Sequence, residues 1–184
     1  EIPIRLFTPG YEEQLKRYSP NLKVPVLIDE ELIVWESLAI CEYLNENYLD
    51  GKALPAGREA RAMCRSFCHE MHAGFSAIRS QLPMNCRALK TVQITPQVAS
   101  ECQRVNGLWT QARRRFVDQG DYLFGRFSLA DCMFAPMVLR FHTYGLELGP
   151  EAAAYRDFLL DDPSLKRWCA AAGREPEVLE SFEV

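Results

Sequence analysis

The period of the apolar residues changes once along this chain, near residues 51–57, and that change limits the fold more than any other feature. Up to about residue 50, short strand-like and helix-like runs alternate. Residues 2–6 fit a strand, with Pro3 tolerable at its first positions, and 12–18 fit a short helix. Val24-Pro25-Val26-Leu27-Ile28 is a β-rich run, Asp29-Glu30-Glu31 a turn, and Leu32-Ile33-Val34-Trp35 the returning strand of a hairpin. From Ser37 the residues Leu38, Cys41, Tyr43, Leu44 and Tyr48 take helical spacing. Beyond Pro55-Ala56-Gly57 nearly everything is helical: one long helix over 58–82, a second over 96–119, a third from Ser128, and two shorter ones near 151–160 and 163–172. The pattern predicts an α/β domain over 1–50, a linker over 51–57 and an all-helical domain over 58–184.

Composition excludes some functions. A formal net charge of −4 and scattered Lys and Arg leave no basic face for phosphate neutralisation, so nucleic acid is not an expected partner. The one basic run, Arg113-Arg114-Arg115, reads as a solvated helix face. No apolar run approaches the roughly 20 residues that a membrane span needs, and no secretory signal is visible. Seven cysteines, an odd number set mostly in helix-like apolar surroundings, read as packed thiols in a reducing compartment, with the cytoplasm as the expected location.

Two short motifs carry chemistry. Val24-Pro25 places a proline at the start of a β-rich run, where it is either an ordinary entry proline or the site of a cis bond that turns the backbone of Val24 outward. Trp35-Glu36-Ser37 ends a strand and opens a helix. Ser37 is a good N-cap, with Glu36 adding charge near the helix start. The same groups also suit an α-amino acid, because free N–H groups and a serine hydroxyl bind a carboxylate while the Glu36 carboxylate receives an ammonium.

The stretch Ser19-Pro20-Asn21-Leu22-Lys23-Val24-Pro25-Val26-Leu27, followed by the hairpin and Glu36-Ser37-Leu38-Ala39-Ile40, resembles the second half of the thioredoxin-like domain of cytosolic glutathione transferases, of the zeta-like bacterial type. The resemblance implies that the backbone of Val24 and Pro25 pairs with the cysteinyl part of glutathione, that Glu36 and Ser37 hold its γ-glutamyl end, and that Lys23 assists at the glycyl carboxylate. It implies a detoxifying homodimer that adds the glutathione thiolate to a small, partly apolar electrophile or uses it in cis–trans isomerisation, with glutathione as co-substrate and no metal. It also implies a thioredoxin-like domain lacking its first strand and helix, about thirty residues upstream. The family's Ser, Tyr or Cys, which favours the thiolate of a thiol with pKa of about 8.5, would lie there. No residue from Glu1 onward takes that role; Tyr11 and Tyr18 lie on the wrong side of the motif. Two alternatives stand beside this reading: a glutathione-dependent thiol reductase using an upstream Cys, and a non-catalytic binding or assembly module.

Downstream, Gly125-Arg126-Phe127-Ser128-Leu129-Ala130-Asp131 sets Asp131 three residues after Ser128. This is a capping box that resembles the buried one of the family's helical domain, with a purely structural role expected. On 58–82, Cys64, Cys68 and His72 share a face at spacings of four. One straight helix does not close a tetrahedral metal site, and Phe67, Met71, Phe75 and Ile78 complete an apolar stripe there. Because the family's corresponding helix walls the acceptor pocket, the resemblance makes His72, Phe75 and Arg79 acceptor-site candidates.

Overall fold

The computed structural model describes residues 1–179, which divide into two compact units, the first Glu1–Lys52 and the second beginning at Ala53. In the first, α1 (Tyr11–Leu15) precedes an antiparallel hairpin of β1 (Val26–Asp29) and β2 (Leu32–Trp35), and α2 (Ser37–Tyr48) follows. The register pairs Val26 with Trp35 and Asp29 with Leu32, so Glu30 and Glu31 alone make the turn, Glu30 at φ 55°. Helix α2 packs on both strands. The phenolic hydroxyl of Tyr43 donates to Asp29 Oδ2 at 2.6 Å, and that of Tyr48 donates to the same oxygen, tying α2 to the end of β1.

Two expectations in this unit change. Residues 2–6 have no regular structure, because the only sheet among the described residues is the two-stranded hairpin and no strand lies beside them to complete a ladder. The helix expected over 12–18 is the shorter α1, with Ser19 N–H closing on the carbonyl of Leu15 at 2.7 Å.

The second unit contains α3 (Arg58–Ala73), α4 (Ser76–Gln81), α5 (Pro96–Phe116) with a 3-10 turn (Val117–Gln119), α6 (Leu129–Thr143), α7 (Pro150–Leu160) and α8 (Pro163–Ala172). Its core gathers round Trp109, fully buried on α5, with ring centroids of Phe134, Phe141 and Tyr155 at 5.8, 5.3 and 5.2 Å. Edge and tilted contacts of this kind suit the aromatic quadrupole.

The single helix expected over 58–82 is broken. The N–H of Gly74 closes on Glu70 O at 2.8 Å, and a β-carbon there would sit 2.7 Å from that carbonyl oxygen. Phe75 then turns left-handed, φ 59° and ψ 37°, and its ring enters the core beside Phe134. Burying the ring offsets a backbone cost of about 1–3 kcal/mol. The basic run is a solvated face at Arg114 and Arg115 but not at Arg113. Arg113 is buried, donating to the carbonyls of Gly120 (2.7 Å) and Tyr122, whereas Arg114 and Arg115 pair with Glu151 and Glu59.

The capping box forms at the start of α6. Asp131, completely buried, accepts from Ser128 N–H (2.8 Å) and Ser128 Oγ (2.9 Å) through one oxygen. Its other oxygen accepts from Leu123 N–H (3.0 Å) and the Tyr155 hydroxyl (3.1 Å). One carboxylate therefore joins the loop before α6, the start of α6 and α7.

Candidate functional site

Residues 19–24 are set by a closed ring of hydrogen bonds. The hydroxyl of buried Ser19 donates to the carbonyl of Lys23 at 2.8 Å and accepts from its N–H at 3.0 Å. Asn21 Oδ1 lies 3.1 Å from the same N–H. With Lys23 committed on both backbone groups, the chain leaves the ring into Val24, and the Val24–Pro25 bond is cis, which decides between the two readings open for that proline. Val24 is 51% exposed, and among the described residues neither its N–H nor its carbonyl has a hydrogen-bond partner. These two groups form a short open edge immediately before β1.

At the other end of the hairpin, Glu36 takes φ 69° and ψ 123°, outside the regions usual for an L-residue. Strain of this kind concentrates at binding and catalytic sites. Glu36, rather than Ser37, is the N-cap of α2, and Ser37 is its first helical residue. The hydroxyl of Ser37 makes no capping bond and has no partner among the described residues, so the capping reading of this serine does not hold. What stands at this corner is a carboxylate, an uncommitted hydroxyl and the first N–H groups of a 12-residue helix.

The two corners are linked by a residue whose role the sequence did not show. Asn21 Nδ2 donates to Glu36 Oε1 at 3.2 Å while Asn21 Oδ1 faces Lys23 N–H. A cleft of about 480 Å³ runs along Val24, Pro25 and β1, with Tyr18 and Leu15 on its wall; Glu36 and Ser37 do not line it. Tyr18 therefore shares a cleft with Val24, whereas the Tyr11 hydroxyl turns to Glu12 Oε1 at 3.4 Å.

In the helical unit, Arg79 Nη1 donates to the carbonyl of His72 at 3.0 Å, so these two acceptor-site candidates meet across the helix break. The third, Phe75, is only 5% exposed and packs in the core. Among the described residues no group of His, Cys, Asp and Glu is placed to hold a metal ion; Cys64 and Cys68 lie in the apolar interior.

Residues 2–46 match the family described as glutathione S-transferase, N-terminal domain, and 70–171 match glutathione S-transferase, C-terminal domain. The second match alone takes in more than half of the chain. The chain belongs to the glutathione S-transferase family. A stringent starvation protein A homologue of Coxiella burnetii is 26% identical over 160 residues, 84% of this chain and 72% of that one. A probable maleylacetoacetate isomerase of Caenorhabditis elegans is 26% identical over 164 residues, 88% of this chain and 76% of the relative. Among solved structures, a glutathione transferase homologue from a Burkholderia, with bound glutathione, superposes with TM-score 0.63 at 26% identity, covering 89% of this transferase-family chain and 80% of the other.

Proposed function

We propose that this family member binds glutathione through the hairpin unit and acts as a glutathione transferase. The observation that carries the reading is the corner at the start of α2, where the Ser37 hydroxyl is uncommitted beside the carboxylate-bearing Glu36, whose backbone is strained. A γ-glutamyl end carries one ammonium and one carboxylate. Glu36 takes the ammonium, and Ser37 with the first N–H groups of α2 takes the carboxylate. Val24 offers one donor and one acceptor to the cysteinyl backbone, in the manner of a strand added to an open edge. Pro25 fixes the turn that presents them, and Lys23 meets the glycyl carboxylate. The thiol held this way adds to a small electrophile, or adds and leaves again in cis–trans isomerisation. Similarity to the protein named probable maleylacetoacetate isomerase supports the second course. His72 and Arg79 border the acceptor. No described residue is assigned to thiolate formation. A cytoplasmic homodimer completes the proposal; no described helix is long and apolar enough to cross a membrane.

Calorimetric titration with glutathione, paired with a conjugation assay on an aryl halide, tests this reading. Saturable binding with turnover is expected. Absence of glutathione binding overturns it. Binding without turnover selects the second reading, a non-catalytic binding module, which is favoured by the similarity to a stringent starvation protein A homologue, a name that carries no reaction.

A further inference from the structure

The helical unit holds a cleft of about 600 Å³ that no residue of the proposed glutathione site lines. Small-molecule sites run from about 300 to 1,000 Å³. Three segments enclose it: the loop before α5, one face of α5, and the turn between α6 and α7. Tyr144 and Leu146 are its buried floor, while Val92, Ala99 and Leu148 supply apolar wall.

Hydrogen bonds fix all three segments. The N–H of Lys90 donates to Thr143 O at 2.7 Å, and the N–H of Leu146 closes on Phe141 O at 3.0 Å. The Tyr144 hydroxyl donates to Pro83 O at 2.8 Å. Gly149 N–H donates to Asn106 Oδ1 at 2.7 Å, joining α5 to the N-cap of α7. That bond also orients the Asn106 amide. Its oxygen is taken, so Nδ2 is left as a donor with no partner among the described residues.

The charge of the lining is one-sided. Among the described residues that line the cleft, Glu147 alone is charged at neutral pH, and it makes no hydrogen bond or ion pair with any of them. Thr91 and Gln103 are neutral. Burial and the neighbouring Glu101 push the Cys102 thiol up to about 11, so it brings no charge there. Arg104, next to Gln103, is engaged by Glu70, and Arg114 by Glu151 at the start of α7.

We propose that this cleft binds a small organic ammonium ion with an apolar body and one hydrogen-bond acceptor. Glu147 receives the ammonium at the exposed rim, the body covers Ala99, Leu146 and Leu148, and Asn106 Nδ2 donates to the acceptor. An anion of the same shape meets the Glu147 charge with no side-chain cation to offset it. The site lies within the helical unit and does not depend on glutathione binding.

The test is an amide NMR titration of the full chain with three matched probes: para-methoxyphenethylamine, the corresponding alcohol, and para-methoxyphenylpropionate. The amine should shift the backbone amides of Leu146, Leu148 and Gly149 and the Asn106 side-chain amide saturably, binding more tightly than the alcohol, with the carboxylate weakest. Glu147→Gln, which has no partner to lose, should weaken the amine about two- to fivefold and leave the alcohol unchanged. Ala99→Phe, which fills the cleft from α5, should remove binding of the amine and the alcohol alike. No saturable shift, equal affinity for the three probes, an unchanged amine affinity in Glu147→Gln, or binding that survives Ala99→Phe would overturn the proposal.

Discussion

Asn21 and Glu36 are joined by a 3.2 Å hydrogen bond that closes the gap between the two ends of the hairpin. Through its other side-chain atom Asn21 also faces the backbone of Lys23. The Glu36 carboxylate is therefore oriented by the loop that presents Val24, and the two halves of the proposed site share one support.

Asn21→Ala should weaken glutathione by about 1 kcal/mol, the net worth of an oriented hydrogen bond, with little change in unfolding free energy. Asn21→Asp should weaken it further by setting a like charge against Glu36. Calorimetry on both variants checks this, and affinities equal to the parent's would show that the bond does not serve the site.

Ser37→Ala separates binding from capping. With no capping bond to lose, helix α2 should keep its stability, while glutathione affinity should fall by about 1–3 kcal/mol, as for a hydrogen bond to a charged group. The opposite pattern, lost stability with unchanged affinity, would return this serine to an ordinary structural role.

Asp131→Ala should destabilise the helical unit by about 3–5 kcal/mol, because it strands the buried N–H groups of Leu123 and Ser128 and the hydroxyl of Tyr155. Denaturant titration of the variant measures this directly. A loss below about 1 kcal/mol would mean that the network relaxes or takes up water.

Acid and base should act on the hairpin unit through Asp29. Hydrogen bonds from Tyr43 and Tyr48 hold its carboxyl below the usual range, and the bond to Asp29 pushes Tyr43 up to about 12. A carboxyl lowered by folding stabilises the fold above its unfolded value of about 3.9, and that contribution fades as pH falls through the lower folded value. A raised tyrosine works the other way: its contribution is complete below about 10, and it disappears as pH rises through about 12. Carboxyl-carbon NMR titration should show Asp29 moving upward in Tyr43→Phe; an unmoved midpoint would contradict the assignment.

Much of this was legible in the residues. The hairpin from Val26 to Trp35, the long α5 and the box at Ser128 each rest on local signals: a period of two, a period near 3.6, a pair three apart. What could not be read depends on groups distant in sequence. Phe75 turns left-handed because Phe134 awaits it on another helix, and a lone Gly74 is only a weak breaker. Arg113 looked like its two basic neighbours until the carbonyls of Gly120 and Tyr122 closed on it. Asn21 and the positive φ of Glu36 leave no trace in residue type, since Asn is common in loops and Glu rarely adopts that backbone.

The break after Gly74 leaves α4 only six residues long, too short to persist in water by its own propensity. Its first turn is held from outside: Glu101 on α5 accepts from Ala77 N–H at 3.2 Å and Ile78 N–H at 2.8 Å. The segment bearing Arg79 thus owes its helicity to a carboxylate on another helix. Neutralising Glu101 would melt that turn while the aromatic core stays intact, and the amide protons of Ala77 and Ile78 would report the opening by exchanging first.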